Sequence, residues 1–347
     1  MKLRDYILRR LLLLIPVLIG ISFITFMLTH NIPNYDPASP WLKQKFTHDE
    51  REQVIKQHHL DQPVVIQYIT YLSDLSHFDL GLSTSEGSRP VADALWDYLP
   101  ATIELTLFSM LICIVVGIPM GVLSAIKKDK IPDHVIRIFS LAGISIPVFW
   151  FALILQYVFY AQFKILPLGG RLPTGIVPPT FNLPFVIIHS TGIYSIDSLL
   201  AGNFDLFVQV ILHLIMPSFC LAFIQLAVIA RMTRSSMLEA MTQDFIRTAR
   251  SKGLSERVVI FKHALRNALI PTTTIIGLLF GSLLSGAVLT ETIFYWPGVG
   301  RYSTEAIRAL DYPALMGFTM IIVIVYVVTN LVVDIMYAYL DPRIKYG

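Results

Sequence analysis

Six runs without Asp, Glu, Lys or Arg, at residues 11–35, 105–126, 138–163, 206–230, 267–290 and 312–333, constrain this chain more than any other feature. Each is roughly 22 to 26 residues long, and a helix rising about 1.5 Å per residue needs about 20 to cross a hydrocarbon core of about 30 Å. Only 15% of the 347 residues are charged and 54% are hydrophobic, whereas soluble domains carry roughly 25% charged residues. An ordinary soluble enzyme and a disordered chain are both excluded. The sequence predicts an all-α polytopic membrane protein with six transmembrane helices.

A seventh uncharged stretch, 172–196, contains Pro173, Pro178, Pro179 and Pro184. Backbone groups freed by proline are too costly to face lipid, so it reads as a loop. When Lys and Arg are assigned to alternate sides of the six spans, the inner segments hold 18 and the outer ones 9. The shorter loops, for which the positive-inside rule is reliable, agree with this and place both termini in the cytoplasm. The first run follows four basic residues but leads to no small-residue cleavage site, so it reads as an anchor and not as a signal peptide. The expected division is a cytoplasmic N-terminus (1–10), a first span (11–30), an external subdomain (31–100), and a five-helix core (101–340) with spans near 105–126, 138–163, 206–230, 268–290 and 312–334. A cytoplasmic loop (231–270) interrupts the core, and 341–347 form a cytoplasmic C-terminus.

The external segment carries ten acidic residues against five basic ones. Within it, His48 to Leu60 and Asp61 to Leu75 repeat apolar positions at helical spacing, which predicts a small helical insertion between the first two spans. Pro100 reads as a turn leading into the second span, and Glu104 as a residue at the outer boundary, where charge is cheap. The cysteines Cys113 and Cys220 lie in separate apolar runs and read as buried small hydrophobes. The nine histidines form no paired ligand spacing, so no metal site is expected.

The loop 231–270 is the longest and most basic inner segment. It parses as a helix ending at Gly253, an N-cap at Ser255 with Glu256 in the first turn, and a second helix running to Pro271. Phe245, Ile246 and Ala249 share one side of the first helix, and Arg247 and Arg250 another. On the second, Val258, Phe261 and Leu265 repeat at three and four, with Lys262 and Arg266 adjacent. Such a hairpin suits a groove in a partner protein, and equally a layer of anionic headgroups. Gly117 to Gly121 and Gly277 to Gly281 are G-x-x-x-G spacings, which let helices approach closely in a bundle or at a subunit interface. Asp334, with Asn330 one turn earlier, is an ionisable group near the inner end of the last span. It reads either as a polar functional site or as a boundary residue bonded to neighbouring helices.

Several strings, in order, resemble the inner-membrane permease subunits of ATP-binding-cassette importers for dipeptides, oligopeptides and nickel. They are YILRRLLLLIPVLIGISFITFML, HFDLGLS (77–83), LPATIEL (99–105), GIPMGVLSA (117–125), SIPVFWFALIL (145–155), LPLGG (166–170) and DSLLAG (197–202). DFIRTARSKGLSERVVIFKHALRNALIP, ETIFYWPGVGR (291–301) and the ending NLVVDIMYAYLDPRIKYG weigh most. The chain departs from the family in having Asn34 and Tyr35 where a single glycine usually precedes Asp-Pro. The resemblance, closest to the first of the two permeases of such systems, implies the type I importer permease fold. It also implies that the basic hairpin is a coupling element, with Arg247, Thr248, Ala249, Arg250, Gly253, Leu254 and Ser255 at the contact and His263 and Asn267 supporting it.

Implied partners are a second permease, two ATP-binding subunits, an extracytoplasmic binding protein and membrane lipid, with no nucleic acid. The implied cargo is peptide, with nickel or oligosaccharide as alternatives. Trp296, Pro297 and Gly298 then offer an external docking surface, or else a tight interfacial turn. No G-x-x-x-x-G-K-[ST] occurs, so this chain is expected to bind no cofactor, with ATP and Mg on partner subunits. An embedded hydrolase would need a Ser/His, paired Asp or zinc constellation. His213 is the only histidine well inside a run, and Asp334 has no acidic companion. A stand-alone carrier would need polar pathway groups that the runs lack.

Overall fold

The computed structural model describes residues 3–30, 38, 41, 42, 46–179 and 190–340; the side chains of 3–7, 10, 11, 29, 285, 286, 334 and 336–340 fall outside that description. Asn34, Tyr35, the tail 341–347 and the side chain of Asp334 therefore lie outside the described residues. In chain order the elements are α1 (Leu3–His30), α2 (His48–Gln57), α3 (Val64–Ser76), β1 (Leu82–Ser83), β2 (Arg89–Pro90), α4 (Val91–Ile112), α5 (Ile118–Ile126), α6 (Ile131–Ser145), α7 (Val148–Leu155), α8 (Tyr194–Leu200) and α9 (Phe204–Thr242). They continue as α10 (Asp244–Ser251), α11 (Glu256–Val258), α12 (Leu265–Gly286), α13 (Val288–Ile293), α14 (Val299–Ala309) and α15 (Tyr312–Leu340). Wide π turns at Cys113–Gly117, Gln156–Gln162 and Val259–Ala264 extend α4 into α5, prolong α7, and join α11 to α12.

Among the described residues, four helical stretches are long and apolar enough to cross a membrane: Val91–Ile126, Phe204–Thr242, Glu256–Leu284 and Tyr312–Val333. A fifth arises only if Ile131–Ser145 and Val148–Gln162, bent by 108°, count as one span; in α1 the described apolar stretch is the shorter Leu12–Leu28. The all-α polytopic class stands, while the count of six is not fixed by length and composition alone.

Three boundaries differ from expectation, each at a proline. The run 138–163 is not one straight span, because Pro147 holds the residue before it out of the helical region and Ile146 is extended (φ −81°, ψ 125°). Conversely, Pro100 and Pro271 lie inside α4 and α12, as Pro217 lies inside α9. Where neighbouring helices surround a span, the missing hydrogen bond is tolerated and the helix continues.

The chain forms two compact units, residues 1–102 with 297–328, and residues 103–296 with 329–345. In the first, Thr47 caps α2 by accepting from the Glu50 N–H at 3.3 Å, while the Thr47 N–H donates to Glu50 Oε2 at 2.7 Å. The α3 helix leans on α1, where the Tyr68 hydroxyl donates to the Ile19 carbonyl at 2.9 Å. The β1–β2 hairpin pairs Leu82 with Pro90 and Ser83 with Arg89. Its Ser83 and Ser85 hydroxyls donate to the buried Asp311 at 2.6 and 2.7 Å.

The second unit is built around α9, against which α5, α6, α7, α8, α12 and α13 pack. Both glycines of the first G-x-x-x-G pair face it. A Cβ on Gly117 would sit 3.1 Å from Ile229, and one on Gly121 only 2.5 Å from Thr233 Cβ and 2.6 Å from the Ala230 carbonyl. Arg234 of α9 makes a bidentate pair with Asp133 of α6, at 2.7 and 2.8 Å, and Ser124 of α5 donates to the same carboxylate. Cys113 and Cys220 are buried free thiols, as the sequence suggests.

Because Asp133 is fully buried, Arg234→Ala strands a carboxylate and should cost about 3 kcal/mol. Arg234→Ala combined with Asp133→Asn should recover part of that loss. Thermal unfolding in detergent checks both, and equal melting of Arg234→Ala and wild type would contradict the pairing.

Candidate functional site

The hairpin begins where Gln243, in extended conformation (φ −72°, ψ 154°), ends α9 and starts α10. Asp244 occupies the first turn of α10, where a carboxylate favours the helix dipole. The helix closes in a Schellman turn: the Leu254 N–H reaches the Ala249 carbonyl at 3.4 Å, and the Gly253 N–H the Arg250 carbonyl at 2.9 Å. Gly253 sits at φ +76°, which a side chain makes costly, and the space around its missing Cβ is open. Ser255 takes the N-cap position of α11, although its side chain makes no capping bond. Across the turn Arg250 pairs with Glu256 at 2.7 and 3.3 Å, and this carboxylate raises the Arg250 guanidinium above its ordinary pKa.

One face of the hairpin is sunk into the unit. Ile246, Ala249, Val259, Ala264 and Ala268 form a single cluster with Val122 and Ala125 of α5 and Met237 and Ala240 of α9. The opposite side stays open: Phe245, Leu254, Val258 and Phe261 are exposed, Phe261 by 54%. Ile246 and Ala249 thus face inward as their spacing suggests, but Phe245 does not join them. On the second helix Val259, Ala264 and Ala268 are buried and Leu265 packs on the same cluster, while Val258 and Phe261 are exposed; the π turn at Val259–Ala264 adds a residue and rotates the face.

Among the residues named from sequence, Arg247, Thr248, Arg250, Gly253, Leu254, Ser255 and Asn267 are exposed, Ala249 is buried and His263 half-buried. The Asn267 amide donates to the His263 carbonyl at 2.8 Å. Arg247 lies 3.3 Å from Asp244, so both acids of the hairpin are taken by arginines. Lys252, Arg257, Lys262 and Arg266 have no acidic partner among the described residues.

Sequence reasoning missed a second constellation. Gly169 packs so closely on the Phe294 carbonyl that a Cβ would lie 2.1 Å from it, and the Gly170 N–H donates to that oxygen at 2.8 Å. The Gln156 amide spans the Leu168 and Ile293 carbonyls at 3.1 and 3.0 Å. Arg171 pairs with Glu104, donates to the Gly192 carbonyl at 2.7 Å, and lies 3.5 Å over the Tyr194 ring and 5.6 Å from the Trp296 ring. Glu104 also accepts from the Ser195 N–H at 2.7 Å. It is therefore no cheaply solvated boundary charge but a fully buried, paired one.

Of the expected docking residues, Trp296 is wholly buried and Gly298 buried, Pro297 is half-buried, and the neighbouring Tyr295 is the exposed aromatic. Asn330 is half-buried in α15. No group of three metal-ligating side chains occurs among the described residues.

Apolar helices of crossing length and a basic hairpin packed against them define a polytopic membrane protein. Residues 117–346 match the family of binding-protein-dependent transport system inner membrane components, and residues 3–106 match its N-terminal part. The chain is 45% identical over 334 residues to a probable D,D-dipeptide transport system permease of Escherichia coli K12, covering 96% of this chain and 95% of the relative. It is 44% identical to a dipeptide transport system permease of Alkalihalophilus pseudofirmus, over 98% of this chain and 99% of the relative. With an oligopeptide transport system permease of Bacillus subtilis it shares 39%, over 98% and 99%. The chain belongs to the family of inner-membrane permease components of binding-protein-dependent importers.

Ile246→Ala, which empties a buried site, should destabilise the protein by about 2–4 kcal/mol. Phe261→Ala, on the open face, should change stability by less than about 0.5 kcal/mol. Thermal melts of the two purified variants check the assignment of faces.

Proposed function

We propose that this chain is a non-catalytic half-pore for peptides, paired with a second permease and moved by two ATP-binding subunits that grip the hairpin at Gly253. The observation that carries the reading is the two-sided hairpin. Its buried face is locked into α5, α9 and α12, while its open face presents Phe245, Leu254 and Phe261 with four cations that have no acidic partner among the described residues. Such a surface suits a groove that covers apolar side chains and supplies carboxylates. Arg247, Thr248, Arg250 and Ser255 stand at the contact, and His263 and Asn267 brace the helix behind it.

ATP and Mg belong to the partner subunits. When these close, a hairpin locked to two helices moves them as a body, and the pore opens toward a binding protein that delivers cargo. The peptide relatives favour di- or oligopeptides over nickel or oligosaccharides. The tight turn whose exposed aromatic is Tyr295 offers an external docking surface. Both termini lie in the cytoplasm, on the side richer in Lys and Arg.

Because the space at Gly253 is open and Asp tolerates positive φ better than most residues, Gly253→Asp should leave folding intact. Its charge and added bulk on the contact surface should reduce peptide uptake at least tenfold and loosen co-purification of the ATP-binding chains. Wild-type uptake in the variant would overturn the coupling role. A hairpin lying on lipid instead would let the permease purify fully active without any ATPase chain.

Orientation is read separately. Gln53 and Ser251 are exposed and both native thiols are buried, so Gln53→Cys should react with an impermeant maleimide only from outside and Ser251→Cys only from inside. The reverse pattern would invert the topology.

A further inference from the structure

In the second unit α6 packs against α9. At one contact Asp133 and Arg234 form the bidentate ion pair. Two to three turns further along α6, a Cβ on Gly143 would lie 3.0 Å from Ala227 and 3.3 Å from the Phe223 carbonyl. Between these contacts lies a crevice of about 220 Å³, lined by Ile136, Arg137, Ser140, Leu141, Ile144 and Arg231, with Arg234 at its edge. Arg234 is committed to Asp133. Arg137 and Arg231, one from each wall, have no acidic partner among the described residues.

The surroundings of this cationic crevice are apolar in a particular way. Leu141 is 64% exposed, and Ile138 and Ile144 also project from the chain. Two unpaired guanidinium groups on either side of a crevice, with bare aliphatic side chains leading away along the same helix, match a molecule with an anionic head and hydrocarbon tails. We infer that the crevice between α6 and α9 is a binding site for the phosphate headgroup of an anionic phospholipid, held by Arg137 and Arg231, with an acyl chain along Leu141 and Ile144. The site rests on the orientation proposed above, which places this end of the helices in the inner leaflet, where anionic headgroups draw basic residues. Guanidinium forks suit a phosphodiester better than they suit water, and the flanking leucine and isoleucine exclude a free inorganic anion as the best fit.

The test uses the complete importer, with both permeases and its ATP-binding subunits, purified in neutral detergent. Native mass spectrometry is run with added dioleoyl phosphatidylglycerol or dioleoyl phosphatidylcholine. Phosphatidylglycerol should be retained, and Arg137→Gln with Arg231→Gln should weaken it about thirtyfold, the loss expected when two headgroup contacts go. Phosphatidylcholine binding should not change, and millimolar inorganic phosphate should not displace the lipid. Equal phosphatidylglycerol retention in the variant, or displacement by phosphate, would overturn the inference. Should the double variant fail to assemble, a phosphatidylglycerol with a photoactivatable acyl chain should label the Leu141 to Ile144 peptide of the wild-type complex. Labelling elsewhere only, or a disulfide from Leu141→Cys to the second permease showing that a subunit covers this face, would also reject it. Maleimide labelling at Ser251 reports orientation independently, so headgroup retention with inverted labelling would fault the topology and spare the site.

Discussion

The second unit depends on a contact that leaves almost nothing between two helices. Inside lipid, water does not drive apolar helices together, so association relies on short-range packing, which small residues make close. Gly117 and Gly121 let α5 lie directly on Ile229, Ala230 and Thr233 of α9. A methyl group at Gly121 would push against a backbone carbonyl, which cannot give way as a flexible side chain can. The next turns of these two helices supply Val122, Ala125, Met237 and Ala240, the seat into which the hairpin presses Ile246 and Ala249. The position of the hairpin is therefore set by a glycine pair in the spans, and any force on it passes into α5 and α9 together.

How much of this was legible from residues alone depends on the physics behind each signal. Among the described residues, four of the six charge-free runs lie in helices of crossing length, a signal that reads because desolvating a charge in hydrocarbon is costly. Gly253 reported its turn because positive φ is local and glycine suits it. Proline was ambiguous: Pro147 breaks its helix while Pro100, Pro217 and Pro271 do not. The difference lies in what surrounds the freed carbonyl, and a one-dimensional pattern does not contain that. On the second hairpin helix the repeat Val258, Phe261 and Leu265 does not keep one face: Val258 and Phe261 are exposed while Leu265 packs on the core, and the wide turn over Val259–Ala264 falls within the repeat.

The constellation around Gly169, Arg171 and Phe294 was the least legible part. LPLGG and ETIFYW were visible as separate strings, yet their meaning is mutual, since Gly169 and Gly170 meet the carbonyl of Phe294 and Gln156 ties both strands of the contact together. Arg171 finds its carboxylate 67 positions away in Glu104. Nothing in the spacing of either residue announces a partner that far along the chain.

Charge is where structure adds most to composition. Counting 27 basic residues predicts orientation but treats every cation alike. In the folded chain Arg171 and Arg234 are held against the buried acids Glu104 and Asp133, where removing either partner strands a charge. Arg247 and Arg250 are held locally and loosely by Asp244 and Glu256 in exposed pairs, which solvent screens. Lys252, Arg257, Lys262 and Arg266 on the hairpin, and Arg137 and Arg231 beside the crevice, have no acidic partner among the described residues. A cation that the fold has already paired serves the fold. One without an acidic partner at the end of a bundle is available to an anion from outside, and among the described residues such cations gather in two places, on the hairpin and beside the crevice between α6 and α9.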